Sequence, residues 1–235
     1  HLVILSGAGL STPSGIPDFR SANIGLWEIN DPMKVASLST FRKKPLDFFN
    51  WLKPLSEKIV AAKPNKAHNA LAKLEKMGKI KAVVTQNIDY LHQKAGSKNV
   101  IEVHGSISQL ECLKCKTIIP FSEELMVKFV KDFSIPTCEK CGNYLKPSIT
   151  LFEEMLPYEA WNLATHHFEE ADLVIVVGSS LEVYPANQLP LIALAKGTKL
   201  IINTISNTPM DSMAEELLHY DVVDVWDSIM RKLYT

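Results

Sequence analysis

The four cysteines fall in two pairs of equal spacing, Cys112 with Cys115 and Cys138 with Cys141. Two CxxC hairpins can offer four thiolates to one ion, the donor set of a tetrahedral zinc site with Zn–S bonds of about 2.3 Å. Lys114, Lys116 and Lys140 flank the thiols and offset the surplus negative charge, and Gly142 permits a tight turn after the last ligand. The same spacing also suits two short-range disulfides or redox-active pairs. With four protein ligands no position stays open for water, so such a zinc ion folds a module and does no chemistry.

A second group of residues sits where short aliphatic runs end. Leu2 to Leu5 lead into Gly7-Ala8-Gly9, a turn whose glycines let the backbone approach a pyrophosphate. The dinucleotide fingerprint is incomplete, because Thr12 stands where its third glycine belongs and no acid closes a second strand shortly after. Gly178-Ser179-Ser180 follow Leu173 to Val177, and Asn203-Thr204 end the run from Leu200, giving hydroxyl and amide groups suited to phosphate and ribose. Thr85-Gln86-Asn87-Ile88-Asp89 end one strand and His104-Gly105 the next, so an amide, an acid and a titratable imidazole are expected to face one cleft. Taken alone, His104 also fits a structural role. His68 and His92 on predicted helices, His166 and His167 near a helix end, and His219 before a predicted strand read as ordinary.

These residues need a frame. Strands are predicted at Leu2 to Leu5, Ile80 to Thr85, Val100 to Val103, Ile149 to Phe152, Leu173 to Val177 and Leu200 to Asn203. Helices are predicted at Pro45 to Ala62, from Pro64-Asn65 to Gly78, at Pro157 to Glu169, at Gln188 to Lys196 and from Val223 to Leu233. Short apolar strands alternating with helices read as an α/β fold, a parallel sheet covered on both faces. The cysteine pairs interrupt that alternation. Residues 106–147 are therefore expected to form an inserted metal module and 26–62 a helical insert, leaving 1–25, 63–105 and 148–235 as the large lobe of a single domain. A small lobe facing a large one makes a cleft, and the strand carboxyl ends point at it.

Composition narrows the function. The 235 residues carry 25 basic and 26 acidic side chains, a net charge of −1, with charged residues scattered and 46% hydrophobic content. This lacks the electrostatic footprint of a duplex-binding protein. No apolar run approaches the roughly 18–20 residues that span a bilayer. A soluble, cytoplasmic, monomeric protein with neither nucleic acid nor membrane as partner is expected. The chain opens inside a strand-like run, so a preceding segment is also expected.

Together, Gly7-Ala8-Gly9 with Ser11, Ser14-Gly15-Ile16-Pro17-Asp18-Phe19-Arg20, Thr85 to Asp89 with Leu91-His92, His104-Gly105, the two CxxC pairs, Gly178-Ser179-Ser180-Leu181 and Asn203 resemble the sirtuins, in the same order and over essentially the whole chain. Sirtuins are NAD-dependent protein lysine deacylases, and the likeness is to their compact bacterial and archaeal members. The resemblance implies a Rossmann-like large domain, a small lobe made of a helical insert and a four-cysteine zinc module, NAD as co-substrate and structural Zn2+.

By the same resemblance, Gly7, Ala8, Gly9, Ser11, Asp18, Phe19 and Arg20 would surround the cofactor. Gln86, Asn87, Ile88 and Asp89 would line the nicotinamide pocket, Asn87 and Asp89 acting in catalysis with the acid reaching the carboxamide. Gly178, Ser179, Ser180, Asn203 and Thr204 would hold phosphate and ribose, and Asp221-Val222 would meet adenine. His104 would be the general base. The acetyl-lysine carbonyl oxygen would attack the nicotinamide ribose, releasing nicotinamide, O-acetyl-ADP-ribose and free lysine. The acetylated protein or peptide would enter as an extended strand between Thr150 to Glu154 (Thr150, Phe152, Glu153 and Glu154) and Glu182 to Tyr184 (Val183 and Tyr184).

The sequence departs from the family pattern in four places. Glu153 stands where Phe-Gly-Glu has its glycine, putting a β-carbon and a charge at a position that favours φ > 0. Ile107 replaces a frequent aromatic residue and Ile205 a frequent acid. Phe49 and Leu52 fall near the Tyr and Arg of the desuccinylating branch, so a neutral acyl group is expected. Two other functions fit the same motifs: a mono-ADP-ribosyltransferase, suggested by Glu153, and a silent NAD-sensing or zinc-ribbon interaction module.

Overall fold

The computed structural model describes residues 1–18 and 31–233; Phe19 and Arg20 lie outside the described residues. The strands are β1 (Leu2–Ser6), β2 (Ile80–Thr85), β3 (Val100–Glu102), β4 (Gly105–Glu111), β5 (Ile118–Pro120), β6 (Lys146–Ile149), β7 (Leu173–Val177), β8 (Lys199–Asn203) and β9 (Glu216–Leu218). Six form one sheet in the order β3-β2-β1-β7-β8-β9, with every neighbouring pair parallel. Counted along the chain this is the 3-2-1-4-5-6 order of a doubly wound, Rossmann-like sheet, which reverses direction between β1 and β7.

The helices are α1 (Pro32–Val35), α2 (Leu38–Lys43), α3 (Pro45–Ala61), α4 (Lys66–Lys76), α5 (Leu91–Ala95), α6 (Glu123–Asp132), α7 (Tyr158–Glu169), α8 (Gln188–Leu194) and α9 (Val222–Leu233). Alternate residues of a strand point to opposite faces. Val3, Leu5, Val84, Val174 and Val176 accordingly pack against Phe168 of α7 and Leu189 of α8, while Ile4, Val83 and Val177 pack against Leu71 of α4 and Trp226 of α9. Both faces are thereby buried, which is why these strands read as unbroken aliphatic runs.

A third apolar cluster joins α2 and α3 to α6, β4 and β6. Its centre is aromatic: Phe49 lies 5.2 Å from Phe48 and 5.8 Å from Phe129 between ring centroids, both nearly edge-on. The four cysteines sit in the turns of this region. Among the described residues no helix is long and apolar enough to cross a membrane.

Two strand assignments change. The run expected as a parallel strand at Ile149 to Phe152 is instead the end of β6, which stops at Ile149 and pairs antiparallel with β4 in a separate three-stranded sheet, β5-β4-β6. A short apolar run fits either sheet equally, and only the partner decides. His219 follows strand β9 rather than preceding one, because Glu216 and Leu217 are exposed on a sheet edge and show no core-facing alternation.

Candidate active site

The loops that leave the carboxyl ends of β1, β2, β7 and β8 meet at the point where the sheet order reverses. Gly7 N–H donates to Val177 O at 3.1 Å, Gly9 N–H to Gly178 O at 2.8 Å, and Gly178 N–H to Asn203 O at 2.8 Å. Two glycines are required by this contact. A β-carbon on Gly9 would lie 2.9 Å from Gly178 O, and one on Gly178, whose φ is +63°, would lie 2.2 Å from Leu10 N. Asn65 anchors the turn from below: its Oδ1 caps α4, and its Nδ2 donates to Leu10 O at 2.8 Å.

Above these loops opens a cavity of about 1070 Å³. Gly7, Ala8, Gly9 and Asp18 line it from one loop, Gln86, Asn87 and Ile88 from the next, then His104, then Gly178, Ser179, Ser180 and Thr204. Thr150, Phe152, Glu153 and Glu154 and a second segment, Glu182, Val183 and Tyr184, line it as well. Most of the expected site residues therefore share one space.

Five expected residues stand behind or beside that space. Ser11 and Asp89 are buried, and the Ser11 hydroxyl donates to Asp89 Oδ2 at 2.6 Å while Leu91 N–H donates to Oδ1 at 2.9 Å. Burial raises the Asp89 carboxyl above the usual carboxylate range, and the Ser11 bond opposes that rise. Asp221 caps α9 through Val223 N–H, and Val222 is buried in the core against Trp226. Asn203 is also buried; its Nδ2 donates to Leu218 O and Tyr220 O, and its Oδ1 has no partner among the described residues.

Asn87 links the buried pair to the cavity. Its Nδ2 donates to Gly7 O at 3.0 Å and to Ser11 Oγ at 3.2 Å, so its amide is oriented before any ligand arrives. His104 Nδ1 lies 3.0 Å from the carbonyl oxygen of Gln86, the residue before Asn87. A carbonyl oxygen only accepts, so Nδ1 carries the hydrogen and Nε2 holds the lone pair of the neutral ring. Such an imidazole can take a proton from a hydroxyl presented in the cavity.

The wall formed by Thr150 to Glu154 is fixed by side chains. Lys146, 1% exposed, donates to Ile149 O at 2.7 Å and Pro147 O at 3.1 Å and pairs with Glu111 and Glu154, each at 3.0 Å. Phe152 bridges to Ser37 through Phe152 N–H to Ala36 O and Leu38 N–H to Phe152 O, both 3.0 Å. Glu153 takes the left-handed conformation, φ +73°, which costs a non-glycine residue about 1–2 kcal/mol. Its carboxylate accepts from Ser39 N–H at 2.8 Å and from the Ser39 hydroxyl at 2.9 Å.

Several residues of the site were not among those expected from the sequence. Trp51 and Leu55 line the cavity from α3, whereas Phe49 and Leu52 are buried in the apolar core. Met155, Tyr158 and Trp161 extend the wall, and Ser206 and Asn207 follow Thr204. His92, taken as ordinary, is fully buried with Nε2 2.8 Å from Ser6 Oγ; Ser6 donates to Thr85 Oγ1, which accepts from Asn87 N–H. Burial lowers His92 to about 3 and His68, 5.1 Å away between rings, to about 4. Helical spacing placed both rings but gave no sign of the strand ends they would meet.

The cysteines fit a metal. All four are free thiols, which removes the disulfide alternative, and their Sγ atoms lie within 4.8 Å of one another. Cys112 and Cys141 are 3.4 Å apart, Cys115 and Cys138 3.5 Å, and Cys115 and Cys141 3.8 Å. Tetrahedral Zn–S bonds of about 2.3 Å give sulfur separations of about 3.8 Å. Hydrogen bonding to the hydroxyl and then the backbone of Thr117 lowers the Cys115 thiol to about 6, favouring the thiolate a metal needs. None of the four lines the cavity.

Comparison with known proteins agrees with this geometry. Residues 7–185 match the model of the Sir2 family. The chain is 47% identical over 215 residues to NAD-dependent protein deacylase 2 of Archaeoglobus fulgidus, covering 90% of this chain and 82% of that protein. It is 42% identical over 230 residues to the NAD-dependent protein deacetylase of Thermotoga maritima, covering 98% and 92%. Among solved structures, a Sir2 complex with a p53 peptide and NAD+ superposes with a TM-score of 0.86 at 41% identity, covering 98% of this chain and 92% of that one. The chain belongs to the Sir2 family.

Proposed function

We propose that this protein is an NAD-dependent protein lysine deacetylase. The observation that carries the reading is that His104 and Asn87 open onto one cavity that the segments at Thr150–Glu154 and Glu182–Tyr184 also line. NAD would supply a ribose bonded to a good leaving group, nicotinamide, and acetyl-lysine the carbonyl oxygen that replaces it; a water molecule would then add to the acetyl carbon and the C–N bond to lysine would break, giving O-acetyl-ADP-ribose and free lysine.

The chain's own residues divide the remaining work. The Gly7–Gly9 and Gly178–Ser180 backbones, kept bare of β-carbons at the glycines by their mutual contact, leave room for a pyrophosphate. Thr204 and Ser206 serve the ribose at the far end, and Asn203 Oδ1 is a buried acceptor without a partner among the described residues. Asn87 and Ile88 receive the carboxamide, with Asp89 holding Asn87 in register through Ser11. Phe152, Trp51 and Leu55 make the mouth apolar, which keeps water from the reacting carbon. His104 accepts at Nε2 the proton of a ribose hydroxyl. Zinc, held by Cys112, Cys115, Cys138 and Cys141, stabilises the wall that β4 and β6 support.

The site residues so assigned, the division into a large lobe, a helical insert and a zinc module, and a monomeric, cytoplasmic protein belong to the same proposal. One apolar cluster joins the helical insert to the zinc module and the other two cover the faces of the large sheet, which supports a small lobe set apart from a large one, and four unbridged thiols suit a reducing compartment. No Lys or Arg is among the described residues that line the cavity, so it offers no cation to an acidic acyl group, supporting acetyl over succinyl. The Glu153 carboxylate is engaged by Ser39, so ADP-ribosyl transfer loses its motive. The test is mass spectrometry of an acetyl-lysine protein incubated with NAD. Loss of the acetyl group with an equal amount of nicotinamide supports the reading, and gain of ADP-ribose on the protein contradicts it.

A further inference from the structure

We propose that Glu153 is a positioning residue, a latch that fastens the peptide-side wall of the cavity to the helical insert and so holds the acyl-lysine entrance open in advance of substrate. This rests on the functional reading above.

The first turn of α2 meets this wall. The leading N–H groups of a helix have no partner within it. Here Leu38 N–H donates to Phe152 O, Ser39 N–H to a Glu153 carboxylate oxygen, and Thr40 N–H to Ser37 Oγ. Two of the three donors are therefore satisfied by consecutive residues of the peptide-side wall, far along the chain. A carboxylate also suits this end of a helix, where backbone dipoles leave positive charge. The Ser39 hydroxyl adds a second bond to the same carboxylate at 2.9 Å.

The contact is exposed to solvent, and Glu153 makes it at a backbone cost. Its φ of +73° is the conformation glycine adopts freely and other residues resist. A glycine there would hold the turn with no side chain to reach α2. Glutamate accepts the backbone cost and gains two charge-assisted bonds that a glycine cannot make. Among the described residues the backbone N–H of Glu153 has no partner, whereas those of Thr150, Leu151, Phe152 and Glu154 all do. The latch thus fixes the peptide plane carrying the one donor of Thr150–Glu154 that has no partner among the described residues, beside the cavity that Glu153 lines.

Lys146 secures the same wall from the opposite end through Glu154. The segment is held to the zinc-side sheet by one glutamate and to the helical insert by the other. Losing the second tie should leave the segment folded but free to drift from α2, which would weaken peptide capture more than NAD capture.

Amide hydrogen exchange on the unliganded protein tests this without reference to activity. Glu153→Gly is expected to fold, since glycine relieves the strained φ, and to quicken exchange at residues 36–40 and 150–155 together by about fivefold or more. Glu153→Gln, which keeps an acceptor oxygen, should restore slow exchange, and Ser39→Ala should loosen both segments in the same direction. In turnover, Glu153→Gly should raise the peptide KM about threefold or more, with a smaller change in the NAD KM. Unaltered exchange at residues 36–40 in Glu153→Gly overturns the latch, whatever the KM values do. Failure of the wild-type protein to turn over acetylated peptide would instead overturn the functional reading and leave the exchange result standing.

Discussion

Ser11 and Asp89, 78 positions apart, are joined by a 2.6 Å hydrogen bond from a serine hydroxyl to a buried carboxylate. The bond ties the glycine turn after β1 to the amide-bearing loop after β2, and the same hydroxyl accepts from Asn87. Its removal should be felt on both sides.

Ser11→Ala is expected to raise the Asp89 carboxyl further, because burial then acts with less opposition from hydrogen bonding. The acid limb of the kcat/KM profile should move to higher pH. An unmet buried acceptor costs about 1–3 kcal/mol, so Tm should fall as well. A profile superimposable on the wild type would show that Asp89 does not reach the chemistry through Ser11.

His68 makes stability depend on acid. Its folded value is lowered by burial to about 4 against an ordinary 6.5. As pH falls below 6.5 the unfolded chain takes up a proton that the folded chain refuses, so stability is lost down to about pH 4. The His68 share is roughly 2 kcal/mol by pH 5. His68→Gln keeps an acceptor for the α4 capping box and removes the titration. The drop in Tm between pH 7 and pH 5 should therefore be smaller in the variant.

Chelation should act at a distance from the cysteines. β4 carries the chain from beside His104 into the metal turns, and β6 brings it back to the cavity-lining segment at Thr150–Glu154. Purified protein is expected to hold one zinc per chain. Cys112→Ser or a strong chelator should lower Tm by roughly 10 °C, from the loss of several kcal/mol of metal-linked folding energy. The peptide KM should rise with it.

Lys146→Met removes a buried ammonium and with it the bonds to Glu111, Glu154 and two carbonyl oxygens. Breaking a buried pair costs about 3–5 kcal/mol, and the partial exposure of Glu111 and Glu154 argues for the lower end. Denaturant unfolding measures it. A loss below about 1 kcal/mol would mean that the pairs are no stronger than surface ones.

The central strands and the loops at their ends were legible in the sequence because burial on both faces leaves unbroken aliphatic runs, and only small polar residues fit where backbones touch. Gly9 and Gly178 were readable for that reason. β6 was not, since a short run around Ile149 carries no record of which strand it will pair with. Asp89 was expected on the cavity wall, yet the structure sets it behind Asn87, a distinction made by Ser11, which nothing in the local spacing links to it. Glu153 signalled a strained position, but not its relief, because Ser39 is remote along the chain. His92 and His68 acquire their meaning only from the strand ends folded against them.

The most direct test of the account is nicotinamide and O-acetyl-ADP-ribose formation from NAD and an acetyl-lysine peptide, by the wild-type protein and by His104→Ala. Wild type should release nicotinamide in step with deacetylation and little without peptide. The variant should lose O-acetyl-ADP-ribose formation by roughly 10²–10⁴-fold, the range for a general base. Undiminished product from His104→Ala, or equal nicotinamide release with and without peptide, would contradict it.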